Sequence, residues 1–107
     1  MKELAETESL AELKKNHPIL ILQFGDEHCG PCHAIRYKID QWIEKHPEAE
    51  ARYISISDHV KLCAQMGIMS VPAVIVYMDR KETIREMGYF SLDDILNRIE
   101  RYMKMMI

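Results

Sequence analysis

Residues 19–24, Ile-Leu-Ile-Leu-Gln-Phe, form an almost unbroken apolar run rather than an alternating one. Such a run reads as a strand covered on both faces, so other elements must pack above and below it. Directly after it comes Gly25-Asp26-Glu27-His28-Cys29-Gly30-Pro31-Cys32-His33, followed by a helical spacing of Ile35, Ile39, Trp42 and Ile43. Two cysteines separated by two residues therefore stand where a buried strand ends and a helix begins. Helix starts leave amide N–H groups unpaired and carry partial positive charge, which favours an anion. A thiolate is such an anion, so Cys29 is expected to be more acidic than a free cysteine. Positions i and i+3 share one face of the first turn, which brings the sulfurs of Cys29 and Cys32 within reach of a disulfide. Pro31 is tolerated there because its missing N–H would be unpaired anyway.

The remaining elements follow from local signals. Residues 3–5 read as a short edge strand. Ser9 opens a helix, with Glu12 completing a capping box and Leu10 and Leu13 facing inward; Asn16-His17-Pro18 ends it. The second helix runs from Pro31 to Lys45. Residues 52–57 form a strand. Asp58 caps a short helix carrying Val60, Cys63 and Met66, closed by Gly67. Residues 73–78 form a strand, residues 79–82 a polar turn, and residues 83–87 the antiparallel return. Ser91 caps a last helix with Leu92, Ile95, Leu96, Ile99 and Met103 on one face. The order is βαβαβαββα, an α/β architecture. Helix-linked strands are expected to be parallel and the final hairpin antiparallel, giving a mixed central sheet flanked by helices.

The chain of 107 residues is expected to be one domain, residues 1–107, with a core that needs no staples. A formal net charge of -3 argues against nucleic acid as a general partner. No apolar run approaches membrane-spanning length, and the acidic N-terminus is unlike a signal peptide, which points to the cytoplasm. In a reducing compartment three cysteines do not make a structural framework; a close pair plus a stray suits a working dithiol.

Cys-Gly-Pro-Cys after a buried strand, with Val71-Pro72 opening a later strand and Gly67 and Gly88 on either side of it, resembles the thioredoxin family over essentially the whole chain. The resemblance implies the thioredoxin fold and a thiol–disulfide oxidoreductase with no bound cofactor beyond a Cys29–Cys32 disulfide. It implies Cys29 as nucleophile and Cys32 as resolving thiol. It also implies a cis peptide at Pro72 and a substrate groove formed by Gly30, Pro31, Val71, Pro72 and Gly88. Disulfide-containing proteins would be the substrates, and a thioredoxin reductase or another dithiol donor would supply electrons. An oxidant or isomerase is the runner-up, and a binding or chaperone module on the same fold is the alternative from another class.

Four residues depart from the family pattern. Gln23 stands where the family usually has a buried aspartate that helps deprotonate the resolving cysteine; glutamine cannot accept that proton, so the role passes to water, to Glu27 or Asp26, or is lost, and slower resolution by Cys32 is expected. His28 replaces the usual tryptophan and His33 the usual basic residue, and a protonated imidazole beside Cys29 would favour the thiolate. Tyr53 stands where a buried lysine often pairs with the missing aspartate. Competing readings are weaker. Cys29, Cys32, His28 and His33 are zinc-type ligands, but no second Cys-x-x-Cys pair exists and His33 should point elsewhere on the helix, so no metal is expected. Cys29 to His33 also matches the c-type haem attachment pattern, which goes with export and a helical fold unlike this strand-rich one. Cys63 reads as a small core hydrophobe, and the tail of Met105, Met106 and Ile107 is unusually apolar.

Overall fold

The structure, a computed structural model, describes residues 1–106. Its elements are β1 (Lys2–Glu3), α1 (Leu10–Asn16), β2 (Ile19–Gly25), α2 (Gly30–Glu44), β3 (Ala49–Ser55), α3 (Val60–Gln65), β4 (Ala73–Met78), β5 (Lys81–Met87) and α4 (Leu92–Met105). The order matches the sequence-based expectation. The strands form one sheet in the order β1-β3-β2-β4-β5. All seven residues of β2 are buried, as its apolar run requires. Ile19 and Ile21 face one core layer with Ile39 and Trp42 of α2 and Ile95 and Ile99 of α4. Leu20, Leu22 and Phe24 face the other layer with Leu13 of α1 and Cys63 of α3.

One expectation about strand direction fails, with consequences for the site. β1, β3 and β2 are parallel, but β4 runs antiparallel to β2 although a helix links it to β3. α3 has six residues, about 9 Å of helix, against roughly 23 Å for a seven-residue strand. It does not carry the chain back to the far end of the sheet. β4 therefore starts at the end where β3 and β2 finish, with Ala73 opposite Phe24. Pro72 is delivered to the same edge as Cys29.

Other corrections are local. β3 begins at Ala49 rather than Arg52 and pairs with β2 from Ile19–Ala49 to Gly25–Ser55. Its alanines carry little strand signature but fit beneath the α2–α4 layer. Asp58 does not cap α3: His59 holds the cap position without a side-chain cap bond, and its ring Nε2 donates to the Leu4 carbonyl at 3.1 Å. Val60 is exposed, and Cys63 is the residue α3 buries. The hairpin turn is tighter than expected. Asp79 and Arg80 sit at φ 50° and 71°, and β5 starts at Lys81. Ser9 and Ser91 cap as expected, their hydroxyls accepting from the amides of Glu12 at 3.3 Å and Asp94 at 3.1 Å. Gly67, at φ 74°, closes α3 as expected, its amide donating to Ala64 O at 3.1 Å. Met105 and Met106 are exposed; Ile107 lies outside the described residues.

Gly25, the last residue of β2, is required by packing. A Cβ there would lie 2.7 Å from Cζ of Tyr53, whose ring crosses the end of the strand. Gly25→Ala is expected to destabilise the fold by about 2 kcal/mol, the usual scale of overpacking. A lower urea midpoint at unchanged slope would report it, and the loss should shrink in a Tyr53→Leu background.

β3 also carries a charged cluster. Arg52 is buried and donates through Nε and Nη2 to Glu8 Oε2, both at 3.0 Å, and through Nη1 to Glu50 Oε1 at 3.0 Å. Glu8 also accepts from the Ala5 amide at 2.9 Å, tying the β1–α1 connection to the sheet. The hydrogen bonds from Arg52 hold the Glu8 carboxyl below the usual range. The stabilisation is therefore complete above the ordinary glutamate value of about 4.3 and is lost as pH falls through the lowered one. Unfolding free energy is expected to drop on acidification below that range, and Glu8→Gln should remove part of that dependence at a loss of about 1–2 kcal/mol at pH 7. Urea unfolding at pH 3 and pH 7 measures both.

Candidate active site

The dithiol is built by the β2–α2 junction. Asp26 accepts the His28 amide on Oδ1 at 3.2 Å, and its carbonyl accepts the Cys29 amide at 3.0 Å, which folds the loop into a tight turn. Cys29 then takes the N-cap position of α2 in an extended conformation, with Pro31 in the first turn. Cys29 Sγ accepts the Cys32 amide at 3.3 Å, the bond a serine or aspartate hydroxyl or carboxylate would accept at such a cap. The two cysteines are joined in a disulfide, with Cα atoms 5.3 Å apart. Cys29 is half-buried and Cys32 fully buried. In this oxidised form the half-buried Cys29 sulfur receives the helix-end amide and its positive field, while the Cys32 sulfur lies behind it, 4.0 Å from the Phe24 carbonyl.

The Val71–Pro72 peptide is cis. It borders a groove of about 400 Å³ that also takes in Cys29, Gly30, Pro31 and Gly88. These are the groove residues expected from the sequence, drawn together from three separate segments. His28 joins them on the rim. So does Tyr89, which the sequence reading missed. Its signal was present: an aromatic directly after Gly88, outside both the alternation of β5 and the apolar stripe of α4.

The two histidines separate. His28 Nε2 lies 3.3 Å from Glu27 Oε1 on the exposed loop. His33 turns to the other side, where its Nε2 donates to the Glu27 carbonyl at 3.1 Å. It lines a polar cleft with Arg36, Tyr53 and Asp58 rather than the groove.

Gln23 is fully buried directly beneath the dithiol, and its Nε2 donates to the Cys32 carbonyl at 2.7 Å. That contact fixes the amide orientation, since the flipped form would set two acceptors against each other. Its Oε1 is buried with no hydrogen-bond partner among the described residues. Tyr53 stands opposite Gln23 across β2–β3 and is covered by the Arg36 guanidinium 4.2 Å above its ring. The paired positions Gln23 and Tyr53 are thus both neutral, with the Arg36 cation stacked on the Tyr53 ring.

Cys63 is buried at 3% exposure and free, and burial pushes its thiol pKa up, as suits an inert core residue. Among the described residues no group of three or more His, Cys, Asp or Glu is arranged to hold a metal ion. Among the described residues no helix is long and apolar enough to cross a membrane.

A mixed five-stranded sheet that holds a disulfide at a helix start, one sulfur open to a groove and one buried, defines a thiol–disulfide oxidoreductase. The family model described as thioredoxin matches residues 1–101, and the chain belongs to the thioredoxin family. The thioredoxin of Mycoplasma genitalium is 24% identical over 97 residues, covering 91% of this chain and 92% of that protein. Among solved structures, the thioredoxin of Fasciola hepatica superposes with a TM-score of 0.78 at 24% identity, over 92% of this chain and 98% of that one. Thioredoxin 1 of Thermosipho africanus does so with a TM-score of 0.72 at 30% identity, over 80% and 96%. The family carries no cofactor beyond its redox disulfide.

Proposed function

We propose that this thioredoxin-like chain, read as one domain, reduces protein disulfides in the cytoplasm. The Cys29 thiolate attacks one sulfur of a substrate disulfide, forming a mixed disulfide and releasing the other substrate sulfur as a thiolate. The Cys32 thiolate then attacks Cys29 Sγ, releases the second substrate thiolate and leaves the Cys29–Cys32 disulfide. Two electrons pass to the substrate, and a dithiol donor of the thioredoxin reductase kind restores the pair. The observation that carries these roles is the asymmetry of the pair. Cys29 is half-open at the helix cap and accepts an amide at 3.3 Å, while Cys32 is fully buried behind it. Gln23 supports a slow second step, because the side chain buried beneath Cys32 is an amide that cannot take its proton.

Equilibration in redox buffers of graded potential, with thiols trapped and counted by mass, tests the direction of transfer. A midpoint near the thioredoxin value of about −270 mV is expected. A midpoint near the isomerase value of about −180 mV would replace reductant by oxidant or isomerase. A chain that transfers no electrons in either direction would leave a binding module.

A further inference from the structure

Tyr89 is fully exposed, yet it is not on a loose segment. The preceding Gly88 sits at φ 83°, where a Cβ would be strained, and its amide donates to the Pro72 carbonyl at 2.9 Å. The ridge that carries Tyr89 is thus pinned to the proline bordering the dithiol groove. Two residues later Ser91 caps α4, its hydroxyl accepting the Asp94 amide at 3.1 Å, so the ridge is held from both sides. Tyr89 also belongs to the wall of a second cleft, of about 390 Å³, which runs along α4 past Phe90, Asp94 and Arg98. It therefore forms the divide between the dithiol groove and this neighbouring cleft. A ring in that position gains little in the free protein and has a large apolar face to cover. Across the groove, His28 offers an exposed imidazole tied to Glu27 and no comparable surface.

From this geometry we propose that Tyr89 determines substrate choice. It packs against an apolar or aromatic side chain within a few residues of the target cysteine, on an extended segment that leaves the groove over Tyr89 into the cleft along α4. The occupant must carry a disulfide, because the groove contains the dithiol. It must be a polypeptide rather than a small disulfide, because only a chain of several residues at about 3.3 Å each spans both depressions. The inference rests on the disulfide-reducing reading and names the substrate feature that reading leaves open.

The test uses the full chain reduced with excess dithiol, and peptides cross-linked by one disulfide with either leucine or serine beside the cysteine. Hydroxyethyl disulfide serves as the small reference. The ratio of kcat/KM for the leucine peptide to that for the reference is expected to fall about tenfold in Tyr89→Ala and to be retained in Tyr89→Phe, because the ring face and not the hydroxyl makes the contact. The parent should prefer leucine to serine peptides, and Tyr89→Ala should lose that preference. A ratio unchanged in Tyr89→Ala, or a preference that survives it, would overturn the proposal. A second readout needs no redox step: the leucine peptide with serine in place of its cysteine should shift the amide resonances of Gly88, Tyr89 and Phe90. No shift at these residues up to millimolar peptide would also overturn it. Shifts without reduction of any disulfide would leave the Tyr89 contact standing and defeat the oxidoreductase reading instead.

Discussion

Cys29→Ser is expected to abolish disulfide reduction, with kcat/KM down by more than about a thousandfold, whereas Cys32→Ser should capture substrate once and fail to release it. The two outcomes differ because the two sulfurs differ in access. Cys29 is half-buried in the groove, whereas Cys32 has no exposed surface; in the proposed roles it meets the substrate only through Cys29. Serine at position 29 keeps the helix cap, since a hydroxyl also accepts the amide that donates to Sγ at 3.3 Å, so the fold should survive. Serine at position 32 removes the internal nucleophile, and the mixed disulfide then waits for an external thiol. Mass spectrometry of the Cys32→Ser protein mixed with a disulfide peptide should find one peptide attached per chain, at Cys29. Attachment at Cys32 in Cys29→Ser, or turnover by that variant, would reverse the assigned roles.

Gln23→Asp should be the most damaging conservative change beneath the site and also the most informative. The parent side chain is fully buried and donates to the Cys32 carbonyl at 2.7 Å. Aspartate is one methylene shorter, and once ionised it can only accept, so it would face that carbonyl acceptor to acceptor. Burial without a counter-charge raises its folded-state pKa above its unfolded one. The protonated form then persists longer in the folded chain, and stability falls as pH rises from the unfolded value through the raised folded one. Relative to the parent, the variant is expected to lose roughly 3 kcal/mol between pH 4 and pH 7. A parallel stability–pH curve for both proteins would contradict this. The same carboxylate, when ionised, can take the proton of Cys32. The lifetime of the mixed disulfide at pH 7 should therefore shorten at least about tenfold, the lower range of general-base effects. An unchanged lifetime would show that Gln23 does not limit resolution. The two readouts separate a structural effect from a kinetic one, since a cavity or lost hydrogen bonding alone would not quicken the second step.

Much of this protein is legible in short stretches of its sequence. The apolar run of β2, the caps at Ser9 and Ser91, the stop at Gly67 and the stripe on α4 each act within one or two turns or a few strand residues, so their order could be read directly. The strand-to-helix position of Cys29 and Cys32 is local in the same sense, and the reach from i to i+3 follows from helix geometry alone. What only the tertiary structure decided depends on segments distant along the chain. β4 reverses because the connection through the short α3 does not return the chain to the start of β3, and that reversal sets Pro72 beside the dithiol. Gly25 is required by the ring of Tyr53 from the next strand, Gln23 donates to Cys32 across the β2–α2 layer, and His33 turns away to the Glu27 carbonyl. Tyr89 enters the groove through a backbone bond between Gly88 and Pro72, sixteen residues apart in number and adjacent in space. Periodicity and capping report which residues a segment buries; partners brought together by sheet register and crossover length leave no local mark.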